Sequence, residues 1–159
     1  SDALAGSGKV YYEFDFVENG TIGGWGMTAD SSAPGSTHAN NQSATFSDYV
    51  GYRPDNSTPA NNGSSFSAGS AIGTFGGVGV VRLGVAIDFD SGDFWIRNGS
   101  SAWTSGDPSA GTSPQGTFDT ADKAALRFFF VSYGGATNYM EFAQTFSYTT
   151  PSGFSEATT

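Results

Sequence analysis

The stretch "AIDFDSGDFWIRNGSSAW", residues 86–103, packs three aspartates, two tryptophans and an Asn-Gly pair into eighteen positions. Its upstream flank extends it to "VRLGVAIDFD", in which Leu83, Val85, Ile87 and Phe89 fall on one face. That period of two marks a strand with one side in a core. "DFWIRN" pairs back across Asp90-Ser91-Gly92, which places Phe94 and Ile96 inward and Trp95 and Arg97 outward. The segment is therefore a β-hairpin, and its carboxylates sit on the outer face and the turn.

Working outward, the same alternation recurs. In "KVYYEFDFV", residues 9–17, Val10, Tyr12, Phe14 and Phe16 alternate with Tyr11, Glu13 and Asp15, and Asn19-Gly20 then reads as a turn. "IGGWGM", residues 22–27, is a short strand broken by glycines, where a bulge or another backbone comes close. "DYVGYR", "ALRFFFVSY" and "NYMEFAQTF" supply further strands, and "SYTTPSGF" follows the last of them. Phe14, Phe16, Phe89, Phe94, Phe128 and Phe130 fit core positions, capped by Trp25 and Met27. With about eight to ten strands and no helix, the expectation is an all-β, two-sheet antiparallel β-sandwich forming a single domain over residues 1–159.

Composition agrees. The chain has 159 residues, with 23 glycines, 15% aromatic residues and no cysteine, which suits many turns and half-buried strands and leaves no thiol nucleophile or disulfide. Six Lys plus Arg stand against fifteen Asp plus Glu, a net charge of −9, and the basic residues are scattered. No cationic stripe exists to neutralise phosphates, so neither nucleic acid nor an anionic membrane is expected as a partner. No apolar run approaches the roughly 20 residues that span a bilayer, which excludes membrane insertion by a helix. The start "SDALAGSGK" has neither Met nor an apolar segment and reads as the edge of a piece processed or excised from a longer chain.

The carboxylates and the histidine fit no catalytic or metal-binding pattern well. Asp88, Asp90 and Asp93 surround a glycine turn as calcium ligands do, but no further Glu or Asn completes a loop pattern, so no metal is expected. Only four glutamates occur, Glu13, Glu18, Glu141 and Glu156, and none lies in the closely spaced carboxylate array of a glycosidase strand. His38 is the single histidine and lies in a Ser/Asn/Gly loop, without a Gly-x-Ser-x-Gly elbow to supply a nucleophile. The expectation is a protein with no catalytic residues and no cofactor.

The ordered pieces "GKVYYEF" (8–14), "IGGWGM" (22–27), "YVGYR" (49–53), "LGVAIDFDSGDFWIRNG" (83–99) and "NYMEFAQTFSYTTPSGF" (138–154) together resemble a SPRY domain. The resemblance implies a concanavalin-like jelly roll. "NGSSAWTSGDPSAGTSP", residues 98–114, is similar to a loop of SPRY-like modules in bacteriophage tail and virion proteins, from which it departs by two serines ahead of Trp103. This finer resemblance implies a non-catalytic recognition or decoration module on a virion surface, on a tail fibre or the capsid. It would meet a host-surface glycan or protein receptor and other virion proteins, and could be a homo-oligomer on the particle. The alternative is a structural module that fixes neighbouring virion proteins through the same loops or an exposed sheet. A polysaccharide-degrading enzyme stands behind both.

Long polar loops, over residues 28–70 and 99–118, are where binding would reside. Tyr49, Tyr52 and Trp103 lie beside them with flat rings suited to stacking on sugars, and Arg53 and Asp107 add polar contacts. The same rings could equally buttress the loops.

Overall fold

The computed structural model describes residues 4, 6–18, 23–30, 48–52, 59–69, 71–72, 79–100, 102–132 and 139–157. Eleven strands follow one another along them: β1 (Lys9–Glu18), β2 (Gly23–Thr28), β3 (Tyr49–Tyr52), β4 (Ala60–Asn62), β5 (Phe66–Ala68), β6 (Gly79–Asp88), β7 (Asp93–Asn98), β8 (Gly116–Phe118), β9 (Arg127–Ser132), β10 (Tyr139–Phe142) and β11 (Ser155–Glu156). A single 3-10 turn, Thr120–Asp122, is the helical structure among the described residues, and the Asp119 carboxylate caps it by accepting from the Ala121 N–H. The protein is thus the expected all-β, two-sheet sandwich.

The larger sheet has seven strands in the order β10-β1-β6-β7-β8-β5, with β11 also on β1, and the smaller has four in the order β4-β3-β2-β9. All pairs are antiparallel except β11 on β1. β1 and β6 pair over ten residues, from Lys9↔Asp88 to Glu18↔Gly79, and form the spine. The register aligns inward residues with inward residues. Val10, Tyr12, Phe14 and Phe16 thus meet Ile87, Val85, Leu83 and Val81 in turn, and β7 contributes Phe94 and Ile96. The smaller sheet supplies Trp25, Met27, Val50, Tyr52 and Phe128 from its inner face. Phe14 and Phe128 meet edge to face at 4.5 Å, which closes the two sheets on each other.

The hairpin that organises the sequence is present with a longer turn than its pattern suggested. β6 stops at Asp88, β7 starts at Asp93, and the turn between them takes in Phe89, whose ring is wholly buried. Gly92 holds φ +82, and an added Cβ would strike the Phe118 carbonyl, so only glycine fits. The expected close approach at "IGGWGM" is found at Gly26, where a Cβ would collide with the Val50 carbonyl and the Phe129 ring. Asn19-Gly20, Arg53, His38 and most of the polar stretch between 28 and 70 lie outside the described residues.

β10 and β11 share one side of β1. β10 covers Phe14–Val17 and β11 covers Val10–Tyr11, while the chain between them leaves the edge and crosses the outer face of the large sheet. That excursion, residues 143–154, builds a third layer.

Candidate functional site

Alternation along β1, β6 and β7 places Tyr11, Glu13, Asp15, Arg82, Ala86, Trp95 and Arg97 on the outer face of the large sheet. A free outer face would leave them in water. Instead Tyr11, Ala86, Trp95 and Phe154 form a second buried cluster, with Trp103 and Phe146 packed on its rim. Trp95 and Arg97 were expected to point outward, and they do leave the main core. The loop 102–115 and the excursion 143–154 then cover them.

Glu13 fastens this layer. Its side chain is 0% exposed, and it accepts from the Tyr11 hydroxyl at 2.8 Å, the Ser147 and Tyr148 N–H groups at 2.7 and 2.9 Å, and Arg82 Nη1 at 3.0 Å. A buried carboxylate persists only when its lone pairs are met, and these four donors meet them. Arg82 also grips Asp15 through Nε at 2.6 Å and Nη2 at 2.9 Å, and reaches the Thr145 carbonyl and Ser147 hydroxyl. The hydrogen bonds that Arg82 donates to Asp15, working against burial and aided by Glu13, raise the Arg82 pKa. For Tyr11, burial first and the bond to Glu13 second hold the phenol protonated far above its ordinary range, against the opposing field of Arg97. The two carboxylates of "EFD" are therefore engaged in structure.

Arg97 is the second fastening. Its guanidinium lies 4.0 Å from the Trp103 ring centroid, 5.2 Å from Tyr11 and 5.5 Å from Tyr148, and Nη2 donates to the Thr149 carbonyl at 2.8 Å. Cation–π contact of this kind, away from water, contributes on the order of 2 kcal/mol. It holds Trp103 against the sheet, and Tyr11 meets the same indole edge to face at 6.1 Å.

The loop launched by Asn98-Gly99 is rigidly supported. Thr104 donates its N–H and hydroxyl to the Ile96 carbonyl at 2.9 and 2.8 Å, and Trp95 Nε1 donates to the Thr112 carbonyl at 3.0 Å. Asp107 and Thr112 exchange backbone bonds at 3.1 Å each way, while Asp107 Oδ1 accepts from the Ser109 N–H at 2.8 Å. Pro108 is buried, whereas Gly106, Asp107 and residues 109–113 are exposed. The result is a polar platform with a hydrophobic root.

Of the candidate residues, this arrangement unites Trp103 and Asp107. Trp103 is half-buried and Asp107 is open to solvent. Tyr49 lies on the outer face of the other sheet, beside Phe129 at 6.1 Å, on the opposite side of the sandwich. Tyr52 requires a correction. Two residues along β3 from inward Val50, it points inward too and stacks on Trp25 at 5.3 Å with 1% exposure, so its ring offers no face to a sugar. Burial raises its phenol pKa, opposed by the Gln115 side chain. Glu13, Arg82, Arg97 and Tyr148 were missed as an outer layer. The available signal was Trp95 at an outward position together with the aromatics Phe146 and Tyr148 in an otherwise polar tail.

At the hairpin turn, each aspartate has a local partner. Asp88 accepts from the N–H groups of Asp90 and Ser91 and pairs with Lys9 at 3.2 Å; Asp93 accepts from the Ser91 hydroxyl; Asp90 lies 3.8 Å from Lys123. Among the described residues no group of three or more His, Cys, Asp or Glu is arranged to hold a metal ion, and no helix is long and apolar enough to cross a membrane. Comparison of the chain with protein-family models, with curated proteins and with solved structures finds no match.

Proposed function

We propose that the chain is a SPRY-like, non-catalytic recognition module on the surface of a bacteriophage virion, on a tail fibre or capsid, binding a host-surface glycan or receptor through its polar loops. The observation that carries this reading is the 102–115 platform, in which exposed hydroxyls and the Asp107 carboxylate stand on a loop fixed by Trp95, Trp103 and Arg97. A binding loop ordered before it meets a ligand avoids the entropic cost of ordering at contact. The five ordered motifs that resemble a SPRY domain support the same reading. The engagement of Glu13 and Asp15 by Arg82 supports a non-catalytic role.

A glycan array and host-cell binding, run on the wild type and on Asp107→Ala and Trp103→Ala, test it. The expected outcome is cell or glycan binding that Asp107→Ala reduces several-fold while the far-ultraviolet circular dichroism stays unchanged. Blank results on both surfaces, with tight capture by a purified virion protein, would overturn the recognition reading in favour of a structural one. New reducing ends from an acidic polysaccharide would overturn its non-catalytic part.

A further inference from the structure

β10 forms one edge of the large sheet. Its pairing with β1 runs Phe14↔Phe142, Asp15↔Glu141 and Val17↔Tyr139, and the Ala143 N–H donates to the Glu13 carbonyl at 2.9 Å. In an antiparallel ladder that bond fixes the phase. Residues 139, 141 and 143 turn their backbone groups toward β1, and Met140 and Phe142 turn theirs away. Among the described residues nothing pairs with that outer side.

Natural edge strands are protected by lysine, proline, a bulge or a cover. "YMEF" carries no Lys or Pro. Its outward side chains add to the invitation. Tyr139 is 47% exposed and Val80 is 62% exposed, and these are the large hydrophobics exposed among the described residues. Both stand opposite Val17 in register, so three apolar side chains form one row across β10, β1 and β6. Beside that row stands Glu141, exposed and with no ion pair among the described residues.

We infer that β10 is a docking edge for an extended segment of another polypeptide, added as a further strand, which carries an apolar and a basic residue two positions apart on one face. Apolar residues would extend the Val80–Val17–Tyr139 row, and a Lys or Arg would lie beside Glu141. Charge selects this occupant over a second copy. A chain of net charge −9 that presents Glu141 at its own edge repels itself there and attracts a cationic strand. Strand addition draws affinity from main-chain bonds and specificity from alternate side chains. This inference does not depend on the loop reading above.

The test uses the intact chain and an eight-residue Val/Lys peptide in which the two alternate along one face with Thr between them (Val-Thr-Lys-Thr-Val-Thr-Lys-Thr), with a Val/Glu peptide that has Glu in place of each Lys as control, followed by amide hydrogen exchange and calorimetric titration. The Val/Lys peptide should slow exchange at the Met140 and Phe142 amides, and its binding should weaken as salt rises. Glu141→Lys sits on an exposed position and should fold normally, yet raise the dissociation constant about fivefold, as expected for reversing one surface charge pair. Trp103→Ala should leave peptide binding unchanged, which separates this edge from the loop platform. The inference is overturned if neither amide is protected, if the Val/Glu peptide protects them equally, or if sedimentation shows the chain itself dimerising through β10.

Discussion

At the scale of single residues, Glu13 shows how one buried charge can decide a surface. Glu13→Ala would leave two backbone N–H groups and the Tyr11 hydroxyl without their acceptor and take one of its two carboxylate partners from Arg82. Breaking a buried ion pair by removing one partner costs about 3–5 kcal/mol, and urea denaturation should show a loss of that size. Asp88 makes a different prediction. Burial opposes its ionisation, but the Asp90 N–H, the Lys9 ammonium and the Ser91 N–H outweigh it and hold the carboxyl below its ordinary value. A depressed folded pKa contributes stability that is present above the unfolded value, about 4, and lost as pH falls through the folded one. Asp88→Asn should therefore be less stable than the wild type at pH 7, and the two stabilities should converge on acidification toward pH 2, as followed by thermal melts.

Among the elements, the β2–β3 pair and the 102–115 loop carry contrasting expectations. Gly26→Ala forces a Cβ into the Val50 carbonyl across the ladder, where backbone must move, so a loss of about 1–3 kcal/mol in a denaturant titration is expected. Trp103→Ala removes a ring from the Arg97 stack but leaves every strand register intact. It should cost about 2 kcal/mol and speed hydrogen exchange at the Thr104 and Thr112 amides. These elements also show how far the sequence could be read. The period of two placed Leu83, Val85, Ile87, Phe94 and Ile96 correctly, because a half-buried strand obliges polar and apolar residues to alternate. The third layer was illegible for the same reason. Glu13, Arg82 and Arg97 are polar at outward positions whether water or a hydrogen-bonded tail covers them, and no local pattern separates the two. Tyr52 misled because an aromatic residue before a polar loop looks the same whichever face it takes. Its side was set by Val50 two residues earlier.

For the whole molecule, two buried phenols at different depths make alkaline stability a readout of the fold. Tyr11, in the outer layer, and Tyr52, between the sheets, both have pKa values raised by burial. A raised folded pKa contributes stability that is whole below the unfolded value of about 10 and is lost as pH rises beyond it. Absorbance of ionised tyrosine at high pH should thus develop in two parts, a reversible one from accessible rings and a later one that coincides with loss of circular dichroism. Tyr52→Phe should reduce the second part while keeping the Trp25 stack.

The fastening of the tail has a consequence for how the chain is made. Glu13 is joined to Ser147 and Tyr148 across 134 and 135 positions, so β1 leaves a ribosome long before the residues that cover its outer face. Until Phe146 and Phe154 emerge, Tyr11 and Trp95 stand in water, and a nascent chain stalled before them carries an almost complete sheet with an adhesive back. The hazard lies in synthesis, and the arrival of residues 143–154 ends it.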